Sequence, residues 1–435
     1  MGALVVIVGC SSEQATPTGA ICGDGTCNWW ETPSSCPADC PAVCGDGVCE
    51  PGEEAASCPQ DCGTGGTGGG GGGSGGACQG GPFGPKASWN AGDHPSSVVV
   101  ADFDGDGLPD LAVPEYGPDG QSGTHIGVLL NAGQATFPSD VQYPSAPAPY
   151  WLASADFDGD GYPDLALATY NTGPDLPAAH VYMNQQDGTF AAATDYYPNA
   201  IALFIDVADF DGDGKPDLLV GNLLNGMLAI LRNHGDGTFE APVEYDGDGV
   251  LLAIAADMND DGHPDAVVIN AGGPGTNGIG VMLNAGDGTL GPVTSFAAGA
   301  LPNFIAAGDF NGDGYTDIAV TNAGDGTLGI LLNQQDGSLG AQISYPTGDV
   351  PADLLAADFD GDDKLDIVVV NGIAGTLGYF SGQGDGTFVT GSTFPTDINP
   401  YAVAVGDLDQ DGRPDVAVST GYTDNTVTTL LNQCP

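Results

Sequence analysis

Asp102-Phe-Asp-Gly-Asp-Gly-Leu-Pro-Asp110 is the stretch that decides how this chain is read. The same nine-residue pattern starts again at Asp156, Asp209, Asp257, Asp309, Asp358 and Asp407, at intervals of 54, 53, 48, 52, 49 and 49 residues. A period near fifty means one supersecondary unit repeated, each copy burying its apolar face against the next.

Asp or Asn occupies positions 1, 3, 5 and 9 of every copy, 28 positions in all. Alternate carboxylates on a tight loop converge on one point, and they repel unless a cation sits between them. Oxygen donors without His or Cys select Ca2+ over transition metals. One such loop could be an ordinary Asp/Gly turn; seven in register read as calcium sites of structural rather than catalytic kind. The first takes Asp102, Asp104, Asp106 and Asp110, with the main-chain carbonyl of Leu108 at position 7. The second takes Asp156, Asp158, Asp160 and Asp164 with Tyr162, and the third Asp209, Asp211, Asp213 and Asp217 with Lys215. The fourth takes Asp257, Asn259, Asp261 and Asp265 with His263, and the fifth Asp309, Asn311, Asp313 and Asp317 with Tyr315. The sixth takes Asp358, Asp360, Asp362 and Asp366 with Lys364, and the seventh Asp407, Asp409, Asp411 and Asp415 with Arg413.

Gly107 at position 6 of the first loop allows a sharp turn with positive φ. Asp363 stands there in the sixth loop, which predicts a strained or weaker site, and Gln410 replaces the position 4 Gly of the seventh. Asp246-Gly-Asp-Gly249 begins like an eighth copy, but Leu252 stands where its last Asp belongs, so it reads as a turn. No helix-forming segment flanks the loops and no Glu stands at position 12, which sets aside an EF-hand.

The 435 residues carry 5 Lys+Arg against 58 Asp+Glu, a net charge of −53. That excludes nucleic acid as a partner, since phosphate binding needs a basic surface. Seven bound Ca2+ would bring the charge to −39, which predicts a solvated acidic exterior. The 11 cysteines divide as Cys10, eight in two matched modules, and Cys78 with Cys434. Residues 1–21 hold a short apolar run and a polar tether; Ile7-Val8-Gly9-Cys10 resembles a bacterial lipobox, with Cys10 the lipidated residue. Residues 22–62 hold the modules, 22–40 and 44–62, each Cys-x4-Cys-x8-Cys-x3-Cys. Units this small need disulfides, with a zinc site as the alternative. Residues 63–77 are a Gly-rich linker spanning roughly 20 Å as a flexible coil.

Residues 78–435 contain the repeats. In each, one apolar run precedes the loop and another follows it, then come a third, an Asn-x-x-Asp-Gly-Thr type of turn and a fourth run carrying an aromatic: Tyr143, Tyr197, Tyr245, Phe296, Tyr345 or Phe394. Four short strands per repeat predict an all-β fold, a seven-bladed β-propeller. The residue before each loop is always Ala or Gly, which fits crowding near the axis. The last repeat lacks a fourth strand, and Phe83 to Trp89 is a spare one, so the N-terminal strand should close the ring. Cys78 and Cys434 then flank the closure and are expected to form a disulfide.

The seven loops and the Asn-x-x-Asp-Gly-Thr turns resemble FG-GAP/VCBS-type repeats, the family that includes the head propeller of integrin α subunits. The resemblance covers about residues 79–435. It implies up to seven structural calcium ions between the first and second strands of each blade, and binding at the opposite face. The longest loops of that face should cluster Tyr116, Tyr150, Trp151, Tyr170 and His180, as exposed aromatics for a sugar or a protein anchor; alternatively Tyr150 and Trp151 only pack between blades. The expected function is an exported, surface-anchored binding or adhesion module for a carbohydrate or extracellular protein. It is expected to be a monomer that meets a membrane only through a lipid anchor. The chain has no His-Glu-x-x-His, no Gly-x-Ser-x-Gly and only 5 His, so it is not expected to be an enzyme. A calcium-dependent polysaccharide lyase or hydrolase and a passive envelope component are the alternatives.

Overall fold

The computed structural model describes residues 81–117, 122–138, 140–170, 177–198, 200–223, 225–270, 278–421 and 424–434. Cys10, both cysteine modules, the Gly-rich segment and Cys78 lie outside the described residues. Among the described residues no helix is long and apolar enough to cross a membrane.

The described strands form seven four-stranded antiparallel sheets, which are the blades. Blade 1 runs Val99–Ala101, Asp110–Glu115, His125–Leu129, Asp140–Pro144, inner strand first. Inner strands touch from blade to blade, and Pro400–Gly406 of blade 7 touches Val99–Ala101, so the ring closes. Second strands such as Asp164–Thr169 and Asp366–Asn371 are buried along their whole length. Their continuous apolar runs follow from being covered on both faces. Outer strands alternate instead, and the one half-buried position of Val243–Asp246, Thr294–Ala297 and Ile343–Pro346 is the aromatic. In blade 2 that position is Tyr196, paired with Ala179 as Tyr245 is with Leu228. The expectation of Tyr197 was therefore one residue out of register, and in a strand one residue changes the face.

The closing strand is Ala87–Asn90, antiparallel to Thr426–Leu430, and an isolated bridge joins Phe83 to Asn432. Phe83 packs between Phe359 and Phe394, both ring centroids 5.2 Å away. Two of the small residues before the loops meet the next blade: a Cβ on Gly308 would lie 2.6 Å from Leu365, and one on Gly406 2.6 Å from Val100. Cys434 is buried and disulfide-bonded, and its expected partner Cys78 is outside the described residues.

Position 2 of each loop forms the seam between blades. Phe103, Phe157, Phe210, Met258, Phe310, Phe359 and Leu408 are all buried. Phe103 meets Phe190 of blade 2 at 5.6 Å, Phe157 meets Phe239 of blade 3 at 5.4 Å, and Phe310 meets Phe388 of blade 6 at 5.6 Å. Burying such a ring is worth about 1.5–3 kcal/mol.

Candidate metal centres

The first loop shows how the nine residues turn. Asp102 accepts the main-chain N–H of Gly105 on Oδ1 and of Gly107 on Oδ2, both at 2.8 Å. Asp104 accepts from Asp106 at 3.1 Å, and Asp106 from Leu108 at 2.8 Å. Position 6 has φ near 87° in Gly107, where only Gly is unstrained. Asp110 is different: Oδ2 takes Phe103 N–H at 2.9 Å and Oδ1 takes Asn131 N–H at 2.7 Å. It ties the loop to the hairpin turn between strands three and four.

Oxygens of positions 1, 3 and 9 come together in five loops. The groups are Asp102, Asp104 and Asp110; Asp156, Asp158 and Asp164; Asp209, Asp211 and Asp217; Asp358, Asp360 and Asp366; and Asp407, Asp409 and Asp415, each with one oxygen per residue within 4.8 Å of the others. In the fourth and fifth loops Asn259 and Asn311 hold position 3, and their oxygens accept Asp261 N–H at 3.1 Å and Asp313 N–H at 2.8 Å. The loop shape survives the loss of charge. Position 5 lies outside these close groups. In three loops its second oxygen meets a basic side chain at position 7: Asp213 with Lys215 at 2.6 Å, Asp362 with Lys364, and Asp411 with Arg413.

The divergent positions keep the geometry. Asp363 takes φ 63° and donates its N–H to Asp358 at 2.8 Å, as Gly107 does to Asp102. Asp260 and Gln410 take the positive φ of position 4 at 57° and 61°. The sixth loop is thus formed, with its strain confined to one backbone position.

The donor set fits a hard divalent cation on two counts. Asp360 Oδ1 and Asp409 Oδ1, at position 3 of the sixth and seventh loops, are buried without a hydrogen-bond partner. A buried carboxylate oxygen left so is costly unless a cation meets it. Second, burial pushes the position 9 carboxyls up to about 7 at Asp110, Asp164, Asp217, Asp366 and Asp415, against two main-chain N–H donors that pull the other way. The acids at positions 1 and 3 add to the rise at Asp110. Where Asn replaces Asp at position 3, Asp265 and Asp317 rise only to about 6. A bound Ca2+ would supply the positive charge that keeps these groups ionised together.

The predicted aromatic site is divided by the structure. Tyr116, Tyr150 and Tyr170 do meet, with Tyr150 5.0 Å from Tyr116 and 6.2 Å from Tyr170. Tyr150 is not exposed as expected: it is 4% accessible near the start of the inner strand Pro149–Ala155, beneath the half-buried Tyr116 and Tyr170. Tyr401 of blade 7 joins them through a hydroxyl–hydroxyl bond to Tyr150, a partner 251 residues away that the sequence does not signal. A cavity of about 10 Å³ beside them is lined by His94, Pro95, Ser96, Tyr116, Tyr401 and Gly421. Trp151 is not exposed: it is 1% accessible and meets Phe304 at 6.4 Å. Blades 2 and 5 are not neighbours in a ring of seven, so the two rings meet through the centre and plug it. His180 is also withdrawn, 1% accessible in the strand Pro177–Tyr182. Its Nδ1 bonds Asp195 at 2.6 Å and its Nε2 lies 3.3 Å from Thr169 Oγ1. Burial lowers its pKa despite Asp195. Asp246-Gly-Asp-Gly249 is a turn, with Asp248 N–H donating to Asp246 at 3.1 Å.

Solved structures share this ring at low identity. An Agrocybe aegerita lectin, described as recognising non-reducing terminal N-acetylglucosamine, is 20% identical with a TM-score of 0.52, covering 70% of this chain and 81% of that one. BBS1N, solved in complex with ARL6DN, is 13% identical with a TM-score of 0.57, covering 81% and 97%. A streptogramin B lyase is 15% identical with a TM-score of 0.54, covering 81% and 98%. These likenesses show the fold alone. No curated protein matches the chain significantly. The FG-GAP-like repeat model matches residues 156–220, 209–268, 257–320, 309–369 and 364–418, and the FG-GAP repeat model matches 94–128. With more than half of its length matched over the loops that bring the carboxylates together, this chain belongs to the FG-GAP repeat family.

Proposed function

We propose that this chain is an exported, surface-held, calcium-binding propeller whose end opposite the cation loops binds a carbohydrate or an extracellular protein. The observation that carries the binding reading is the tyrosine group Tyr116, Tyr150, Tyr170 and Tyr401, drawn from blades 1, 2 and 7. Tyrosine combines apolar area with a hydroxyl and suits a sugar ring or a protein anchor. Rings of this shape serve both classes of ligand, since one similar structure is a lectin and another was solved with a protein partner. The loops hold up to seven structural Ca2+. Cys10 carries the lipid anchor, the Gly-rich segment is the stalk, and Cys78 pairs with Cys434 across the closure.

Binding rather than catalysis is the role we assign. The order Thr169, His180, Asp195 is that of a proton relay, but Thr169 and His180 are both buried, so a substrate does not reach the hydroxyl. The test is a glycan array and an extracellular-protein screen with the full chain, in calcium and in chelator. A hit lost in Tyr116→Ala and Tyr170→Ala supports the reading. Blank screens with folded protein, or a hit indifferent to both substitutions, would sink it.

A further inference from the structure

The ninth aspartate of a loop is joined to the loop before it through one asparagine. In blade 3, Asp217 Oδ1 accepts the N–H of Asn233 at 2.8 Å. The Asn233 side chain donates to the Phe157 carbonyl, position 2 of the second loop, at 2.9 Å. Phe157 N–H in turn donates to Asp164, the ninth residue of that second loop, at 2.9 Å. Each of these groups is buried, so each bond replaces one that water would otherwise make. The same relay recurs at Asn131, Asn184, Asn284, Asn333 and Asn432, at 2.7 or 2.8 Å to the preceding position 2 carbonyl. Asn131 reaches Leu408 of blade 7, so the run passes through the closure.

One junction lacks it. Blade 6 has Gly382 in the asparagine's place. Its N–H still serves Asp366 at 2.8 Å. The Phe310 carbonyl takes only a main-chain donor, Gly386 N–H at 2.8 Å. A Cβ on Gly382 would lie 2.1 Å from the Leu365 carbonyl oxygen, so an asparagine does not fit there. The interruption between the fifth and sixth loops is built into the strand.

We propose that these asparagines are positioning residues for the cation sites: through them, filling one loop raises the affinity of the loop before it, except from the sixth to the fifth. The proposal rests on the calcium reading above. Its physical basis is that one peptide, position 2, is held from two loops. Its N–H answers to its own ninth aspartate and its carbonyl to the next blade's asparagine, whose N–H answers to the next ninth aspartate. A cation fixes the ninth carboxylate among the acids of its loop, and that fixes the asparagine. The preceding loop then has less ordering left to do when its own cation arrives. Nearest-neighbour coupling of this kind is what a stacked repeat allows.

The test uses chelator-stripped full chain titrated with calcium. Tyrosine-sensitised lanthanide luminescence does not separate the sites, since Tyr162 of the second loop lies against Gly105 of the first and Tyr379 meets Asp366 of the sixth at 2.9 Å. Each site is read instead from hydrogen exchange of its position 6 amide, Gly161 N–H on Asp156 in the second loop and Gly314 N–H on Asp309 in the fifth. Removing the third site with Asp209→Ala should weaken calcium at the second loop about fivefold, the low end of ordinary coupling. In Asn233→Ala the same removal should change it less than about twofold. The natural interruption is the control that needs no asparagine variant to fold: removing the sixth site with Asp358→Ala should leave the fifth loop's affinity within about twofold. A second loop indifferent to the third, a dependence that survives Asn233→Ala, or equal dependence at both junctions would overturn the coupling while leaving calcium binding in place. No calcium bound at any loop would overturn the calcium reading and the coupling with it.

Discussion

At one end of the ring every blade presents the same nine-residue loop; at the other, the connections differ in length and content from blade to blade. The loop end repeats its hydrogen bonds: position 6 donates to position 1 in all seven loops, from Gly107 onto Asp102 to Gly412 onto Asp407, and the position 4 Gly donates to it in five. The opposite end gathers Tyr116, Tyr150, Tyr170 and Tyr401 at one sector and leaves Leu301, Ile373 and Ile398 exposed at others. The difference separates two jobs. Repeated loops put one problem, buried like charge, in every blade and solve it once. Unrepeated connections are where one blade can differ from its neighbour without disturbing the ring.

The largest test of that division is removal of cations. Saturation at a thousand times Kd is worth about 4 kcal/mol per site, and 1 kcal/mol moves Tm by about 2–4 °C in a domain of 150–250 residues. Chelation should therefore lower Tm by roughly 10 °C or more. Hydrogen exchange should rise first at the amides of Gly105, Gly107 and their counterparts, and later at the opposite end. Equal melting in calcium and chelator would mean that the loops hold themselves without an ion.

The next effect is packing at the loop end. Phe157→Ala removes a buried ring from the seam between blades 2 and 3 and should cost about 3–5 kcal/mol. Tyr170→Ala, at the half-buried rim of the opposite end, should cost well under half of that. Denaturant midpoints in saturating calcium would check both, and equal costs would erase the contrast between the ends.

The walls between the two ends hold buried carboxylates of another kind. Asp206, on the inner strand Ile205–Ala208, accepts N–H from Val207 and from Ala255 of blade 4, both at 2.9 Å. Asp353 does the same with Leu354 and with Val403 of blade 7, both at 2.8 Å. Burial raises Asp206 to about 6 and Asp353 well above its ordinary value. A raised carboxyl gives stability that is present below the unfolded pKa and lost as pH rises through the folded one. For Asp206 the window runs from about pH 4 to about pH 6, and the shift corresponds to about 3 kcal/mol. Asp206→Asn should lack that fall. The difference in unfolding free energy between wild type and variant, in saturating calcium, should change across the window; a flat difference would mean that the group ionises freely.

Much of the loop end could be read from sequence because its chemistry is local. Nine consecutive residues hold the acids, the turn glycines and the position 7 group, and their period gives the ring and its closing strand. What escaped depends on residues brought together from far along the chain. Tyr401 reaches Tyr150 across blade 1. Asn184 finds its acceptor at Phe103, 81 residues earlier. Trp151 and His180 look like ligand residues in a list of aromatics, yet the closed ring buries the first at its centre and the second inside a blade. The one-residue error at Tyr196 arose because two adjacent tyrosines fit the pattern and only strand pairing chooses between faces.

The smallest prediction concerns what repetition enforces within the loop end. Position 6 is Gly in six loops and Asp363 in the sixth, where it adopts φ 63°. An L-residue in that region costs roughly 1–2 kcal/mol, less for Asp and Asn. Asp363→Gly removes the strain but returns backbone freedom to the unfolded chain, which offsets about 0.4–1 kcal/mol. The net gain should be a few tenths of a kcal/mol. Gly314→Asp in the fifth loop should lose a similar amount, since a Cβ there meets nothing within 4 Å and only φ 88° opposes it. Paired melts in saturating calcium would measure both changes. Opposite signs of similar size would show that the position is set by backbone conformation alone. A large loss in Gly314→Asp would show that the added charge acts on the cation site, and that the sixth loop has adapted to its aspartate in a way the fifth has not.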